Sequence, residues 1–141
     1  MSADCIFCKI TAGEIPAAKV YEDDNFIAFM DIFPIARGHT LVIPKIHCEN
    51  ALDTPLSISE KLYPLVIKIA GGIKKSFNAD GINIIQNNGA AAGQEVFHSH
   101  IHIIPRYSND ELKISPPRRL KLSSEDISSD AQKIKDTMGD K

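Results

Sequence analysis

Three histidines alternate with single residues near position 100, at His98, His100 and His102. Successive side chains of a β-strand point to opposite faces of the sheet, so an extended segment presents all three imidazoles on one face. The isoleucines around them favour a strand, and Pro105 is expected to close it. We therefore predict a strand over residues 96–104 that carries a row of imidazoles.

Two kinds of chemistry use such a row. In the first, the three histidines hold a catalytic zinc that keeps a fourth position open for water. In the second, one neutral imidazole attacks phosphorus while its neighbours fix its tautomer and donate to the phosphoryl oxygens. Residues 87–95 read Asn-Asn-Gly-Ala-Ala-Ala-Gly-Gln-Glu, and such small residues let backbone N–H groups approach an anion closely. This loop favours phosphate chemistry, and the catalytic zinc stays an alternative.

Cys5 and Cys8 form a Cys-x-x-Cys pair close to the first residue. The chain has three cysteines, an odd number, and begins without the basic and apolar pattern of an export signal, so we expect no disulfide framework. The pair is then free for metal or redox chemistry. A structural zinc needs two further ligands, and a reduced, metal-free thiol pair is the alternative.

The composition limits the class of partner. The 16 basic and 18 acidic residues give a formal charge of −2, and no basic run could follow a nucleic-acid backbone. No stretch approaches the roughly 18 apolar residues of a membrane span. We therefore expect a cytoplasmic protein that binds neither nucleic acid nor membrane. The 43% apolar content is enough for one core, so we predict one domain over residues 1–141, with its core at about 5–107 and a C-terminal extension at 108–141.

Short extended segments outnumber helices along the chain. The strands predicted before the histidine segment cover residues 19–22, 26–30, 39–43 (stopped by Pro44) and 82–86, and the first two form a hairpin around Asp23-Asp24-Asn25. The expected fold class is α+β: a mostly antiparallel five-stranded sheet with one long helix and a C-terminal helix.

Apolar residues at three- and four-residue spacing, from Ile58 to Ile73, predict the long helix. We expect Thr54 as its N-cap, and either a kink at Pro64 or a helix that begins later. The C-terminal helix follows Pro116-Pro117, where Ser123 and Asp126 have the spacing of a capping box.

The sequence over about residues 5–107 resembles the histidine triad (HIT) family, whose motif His-x-His-x-His followed by two apolar residues is matched by residues 98–104. Further segments resemble the family in the right order, at residues 5–9, 29–32, 38–45, 87–89 and 93–97. The similarity is greatest to the compact nucleoside phosphoramidase-like branch. It implies a HIT-like fold and a homodimer whose sheets join.

The resemblance also implies residue roles. His100 matches the nucleophile that becomes nucleotidylated, His102 contacts the transferring phosphate, and His39 is a separate supporting histidine. The positions that match the nucleotide pocket are Asp31, Ile32, Asn87, Gly93, Gln94 and Glu95, and the last of these stands where the phosphoramidase branch has a serine beside the leaving group. His47 and His98 resemble the pair that completes a structural zinc site with Cys5 and Cys8 in zinc-bearing members.

The implied activity is cleavage at the α-phosphate of a purine nucleotide conjugate through a nucleotidyl-histidine, which releases AMP or GMP and requires no catalytic metal. Two alternatives stay open at this point. One is hydrolysis of dinucleoside polyphosphates by the same nucleophile. The other is a non-enzymatic nucleotide-binding or scaffold module.

Overall fold

The computed structural model describes residues 4–112 and 119–139. The chain divides into two compact units, Met1–Asp110 and Glu111–Lys141. Pro116-Pro117, which precede the predicted C-terminal helix, lie outside the described residues. Among the helices that the structure describes, none is long and apolar enough to cross a membrane.

The first unit contains a five-stranded sheet. Its strands are β1 (Lys19–Glu22), β2 (Phe26–Met30), β3 (Thr40–Pro44), β4 (Gly81–Ile85) and β5 (Ile101–Arg106). The spatial order is β1-β2-β3-β5-β4, and each neighbouring pair is antiparallel. The α+β prediction is therefore confirmed, as is the first hairpin, whose turn is held by N–H groups of Asn25 and Phe26 donating to Asp23 Oδ1.

Three of the predicted strands have different ends. β3 begins one residue later than predicted and includes Pro44, which sits at its last position and so interrupts little of the ladder. β4 begins and ends one residue earlier than predicted, at Gly81 and Ile85.

The largest difference concerns β5, which begins at Ile101 and not at Val96, and which continues through Pro105 to Arg106 and is not closed by the proline. The pairing of β5 with its neighbours begins there: β3 pairs with β5 only as far as Val42 with Ile101, and β4 only as far as Ile85 with His102. Residues 96–98 bend instead. The Ser99 N–H donates to the Cys48 carbonyl, so this segment is tied to a loop and not to a strand.

The long helix α2 (Leu56–Ser76) packs its buried side chains on one face of the sheet. It begins before Pro64, so the alternative of a later start is wrong. The N-cap prediction is also wrong. Pro55 occupies that position without a side-chain cap, and the Thr54 hydroxyl donates backward to the Asn50 carbonyl at 2.7 Å.

The short helix α1 (Ile6–Thr11) lies on the opposite face. Phe7 and Ile10 pack there against Phe29 and Leu41, whereas their neighbours Ala28 and Val42 contact the α2 side, as the alternation of a strand requires. Because α1 has only six residues, it covers part of this face, and a cavity opens beside it.

The second unit contains helix α3 (Ser124–Met138). The predicted capping box is confirmed, with Ser123 Oγ accepting from the Asp126 N–H and the Asp126 carboxylate accepting from the Ser123 N–H. Ile127, Ile134 and Met138 are more than half exposed.

Candidate active site

A cavity of about 480 Å³ opens on the α1 face of the sheet. Its walls come from α1, the end of β2, and the loop that precedes β5. Of the predicted site residues it brings together Asp31, Ile32, Asn87, Gly93, Glu95, His100 and His102. The volume falls within the range of small-molecule sites.

His100 lies at the wall of this cavity with only 7% of its surface exposed. Its Nδ1 lies 2.6 Å from the His98 carbonyl oxygen, which can only accept, so Nδ1 carries the proton. Nε2 is then the nitrogen with the free lone pair, and no described residue hydrogen-bonds to it. Burial lowers the pKa of His100, which agrees with a neutral ring.

A hydrogen-bond chain sets the tautomer of His102. The Ile35 N–H donates to His39 Nδ1 at 3.1 Å, so His39 carries its proton on Nε2. That Nε2–H lies 2.9 Å from His102 Nδ1 and donates to it. His102 therefore keeps its own proton on Nε2, and a protonated Nε2 is a donor suited to a phosphoryl oxygen.

Both supporting rings are neutral near pH 7. Burial lowers the pKa of His39, and burial together with the neighbouring His100 and His39 lowers the pKa of His102 to about 4. Asp31 opposes both shifts. Its Oδ2 lies 3.5 Å from His39 Nε2, which is a long polar contact beside a neutral ring and not an ion pair.

Of the residues in the loop before β5 that were predicted to line the nucleotide pocket, only some reach the cavity. Asn87, Gly93 and Glu95 line it, and the φ of +95° at Gly93 is one that a side chain rarely adopts. Gln94 is buried and braces the loop, since its Oε1 accepts from the Gly89 N–H and its amide donates to the carbonyls of Glu49 and Val96. The structure does not bring the Gln94 side chain to the cavity.

His98 also lies outside the cavity, fully buried. Its Nε2 donates to the Pro44 carbonyl at 2.8 Å, and its Nδ1 points at the sulfurs of Cys5 and Cys8, at 3.3 and 3.6 Å. The expectation of three imidazoles on one strand face is therefore wrong, because the bend before Ile101 turns His98 away.

This bend also separates the ligands of the alternative catalytic zinc. His98 and His100 each use one ring nitrogen on a carbonyl, and the other nitrogen of His98 points at the cysteine pair. Among the described residues, no group of possible ligands unites His98, His100 and His102.

Residues 12–109 match the family model of the HIT domain. The chain belongs to the HIT family.

Curated relatives agree with this assignment. The HIT protein is 51% identical to Protein hit of Bacillus subtilis over 108 residues. This alignment covers 77% of this chain and 74% of the relative. It is 46% identical over 125 residues to an adenylylsulfatase of Arabidopsis thaliana, which covers 86% of this chain and 64% of that protein.

Solved structures share the fold. A Streptococcus mutans protein superposes with a TM-score of 0.93 at 42% identity, over 99% of this chain and 88% of that one. A zinc-bound histidine triad family protein of Mycobacterium smegmatis has a TM-score of 0.75 at 43% identity, over 82% and 85% of the two chains.

The HIT protein places four possible zinc ligands together. Besides the contacts of His98, Cys8 Sγ lies 3.3 Å from His47 Nδ1, and the ligand atoms of Cys5, Cys8, His47 and His98 all lie within 4.8 Å of one another. A tetrahedral zinc with two sulfur and two nitrogen ligands needs neighbouring ligands roughly 3.3–3.8 Å apart, so the set fits zinc. The Pro44 carbonyl that holds His98 Nε2 orients this ring, as outer partners of metal-bound histidines do.

Sequence reasoning missed several groups that position these side chains. The ring of Phe7 packs nearly perpendicular to the rings of both His98 and His100, with centroids 5.9 and 5.2 Å away. Two others are the Ile35 N–H and the Pro44 carbonyl, which set histidine tautomers. The sequence could not reveal the two backbone groups, because every residue type has them. Phe7 could have been recognised only as an apolar residue within Cys-x-x-Cys, which does not indicate contact with histidines.

Proposed function

We propose that this HIT protein cleaves purine nucleotide conjugates at the α-phosphate through a nucleotide covalently bound to His100. The observation that carries the proposal is the pair of fixed tautomers: a free lone pair on His100 Nε2 beside an N–H on His102 Nε2. A neutral imidazole with a free lone pair is the form of histidine that attacks phosphorus.

The rest of the cavity suits a nucleoside. Apolar side chains, among them Ile10, Phe29 and Leu41, form a slot for a base. Asp31 stands at the same cavity with one oxygen accepting from the Phe33 N–H, and its remaining lone pairs suit ribose hydroxyls.

The reaction has two displacements. His100 Nε2 attacks the α-phosphorus, the bond to the leaving group breaks, and its electron pair goes to the departing atom, which for an amine takes a proton from water. The His102 N–H stabilises charge on the phosphoryl oxygens, and the His98 carbonyl stabilises the charge on the modified His100. Water then attacks phosphorus, loses a proton to solvent, and returns the electron pair to Nε2.

The proposal includes a homodimer and a structural zinc. The zinc-bound relative from Mycobacterium smegmatis supports the metal, and the four ligand atoms support its place. Zinc supplies no step of the reaction here; it would fix the bend that aims the His98 carbonyl at His100.

The test is hydrolysis of an adenosine phosphoramidate. Wild-type protein should release AMP, and His100→Ala should lower kcat by at least ~10³-fold, as loss of a nucleophile does. The variant should still bind AMP, because the slot and Asp31 are intact. Equal release by both proteins would refute the proposal.

A second candidate differs in the leaving group only. The name of the Arabidopsis thaliana relative, adenylylsulfatase, supports adenylyl sulfate as a candidate substrate, and its leaving group, sulfate, needs no proton. Dinucleoside polyphosphates are a further candidate class of substrate, again with a different leaving group. Rates with a phosphoramidate, adenylyl sulfate and diadenosine polyphosphate, measured side by side, separate these substrates.

A further inference from the structure

Glu95 stands between two cavities. It lines the cavity of His100 and also a neighbouring cavity of about 590 Å³, and the two share Ile6, Glu95 and Val96. The side chain is exposed, and within residues 4–112 and 119–139 its carboxylate has no hydrogen bond or ion pair. Glu95 therefore places an exposed carboxylate at the wall that the two cavities share.

Both cavities are negative. Among described residues, the charged side chains that line the cavity of His100 are Asp31 and Glu95, and no lysine or arginine does so. The neighbouring cavity adds the carboxylates of Asp4, Glu49 and Asp53, and Cys5 and His47 of the proposed zinc site also line it; among the described residues no lysine or arginine does so. The Asp53 carboxylate accepts hydrogen bonds from the N–H groups of Glu49 and Asn50.

The nucleoside and the leaving group must occupy different parts of this space. The apolar slot and Asp31 belong to the first cavity alone, so a nucleoside bound there leaves the shared wall for the group on the other side of the phosphorus. A leaving group that extends along this shared wall comes close to the Glu95 carboxylate.

We propose that Glu95 is a specificity-determining residue that favours leaving groups bearing a positive charge, such as the free ammonium end of an alkyl diamine joined to the phosphate through its other nitrogen. This inference rests on the proposed function. Sulfate and polyphosphate leaving groups meet a repulsive carboxylate at the same place. One exposed charge in partly hydrated surroundings changes such a preference by about 3- to 10-fold, and salt weakens it.

Two substrates of equal length test the inference: the adenosine phosphoramidates of pentane-1,5-diamine and hexylamine, which differ in an ammonium against a methyl group. Wild-type protein should have the higher kcat/KM for the diamine conjugate by about 3- to 10-fold at low salt. Glu95→Gln should bring the ratio near one, and Glu95→Lys should invert it. Glu60→Gln, on the exposed side of α2 and at neither cavity, should keep the wild-type ratio.

A binding measurement separates this inference from the proposed function. In a His100→Ala background, the Kd values of the two conjugates should show the same preference and the same loss of it with Glu95→Gln. If neither conjugate is hydrolysed but the Kd ratio follows Glu95, the proposed function fails and the inference stands as a binding preference. A ratio unchanged by Glu95→Gln, in rates or in binding, overturns the inference.

Discussion

At the scale of single residues, three histidines of one motif have three different environments. His98 donates to Pro44 and faces the cysteines, His100 donates to the His98 carbonyl, and His102 accepts from His39. The motif predicted that chemistry lies here, but it could not assign the ring nitrogens, because their partners are backbone carbonyls and a distant side chain.

His39 is expected to act through His102. His39→Leu removes the Nε2–H that fixes the His102 tautomer, so we expect kcat to fall by about 10- to 100-fold while the Kd for AMP stays nearly constant. His39→Gln can still donate a hydrogen bond and should recover part of the loss. Equal defects in both variants would indicate that His39 serves packing alone.

The low pKa of His102 predicts a pH-dependent stability. Burial is the largest cause of its folded-state value of about 4, against an ordinary value of 6.5. The unfolded chain therefore binds an extra proton between these values, so the stabilisation present above pH 6.5 is lost as the pH falls through about 4. We expect the free energy of unfolding to drop by on the order of 2 kcal/mol from this group.

The measurement is urea unfolding of wild type and His102→Asn at several pH values from about 7 to about 4.5. The variant should lose less stability across this range. A parallel decline of the two proteins would contradict the assigned pKa.

At the scale of elements, the strand pattern was predictable and its ends were not. Alternation and turn residues located all five strands, yet β5 begins at Ile101, because the Ser99 N–H bonds the Cys48 carbonyl and the residues before Ile101 pair with neither β3 nor β4. Pro64 shows the converse: a local rule predicted a kink or a later start, but the helix runs from Leu56 and buries Leu62, Leu65 and Val66 around the proline against the sheet.

The proposed zinc site joins α1 to the bend before β5. Purified wild-type protein should contain one zinc per chain, and Cys8→Ser should contain almost none and melt at a lower temperature. Cys48→Ser is the matched control, since Cys48 is equally buried but belongs to no group of possible ligands among the described residues. Retention of zinc by Cys8→Ser would contradict the proposed zinc site.

Gly38 determines how the chain enters β3. Its φ is +94°, and a Cβ there would lie 3.0 Å from the Phe77 ring, so Gly38→Ala should destabilise the fold by about 2 kcal/mol. Gly71→Ala is the matched control: it lies in α2 with open space, so it should stabilise by about 0.5–1 kcal/mol. Similar unfolding free energies for the two variants would contradict this interpretation.

At the scale of the whole molecule, the homodimer stays a prediction from the family resemblance. Sedimentation equilibrium should give about 31 kDa, twice the chain mass of 15.5 kDa. A mass near that of one chain, at the concentrations used for kinetics, would show that the cavity functions within a single subunit.

The central claim is that His100 bonds to the α-phosphorus, and its most direct test is the mass of the protein during turnover. After a rapid quench in alkaline denaturant, in which a bond from histidine nitrogen to phosphorus survives, wild-type protein turning over an adenosine phosphoramidate should gain the mass of one adenylyl group, located on the peptide that contains His100. His100→Ala should gain nothing. Turnover at the full rate without such an adduct, or an adduct that persists in His100→Ala, would contradict the account.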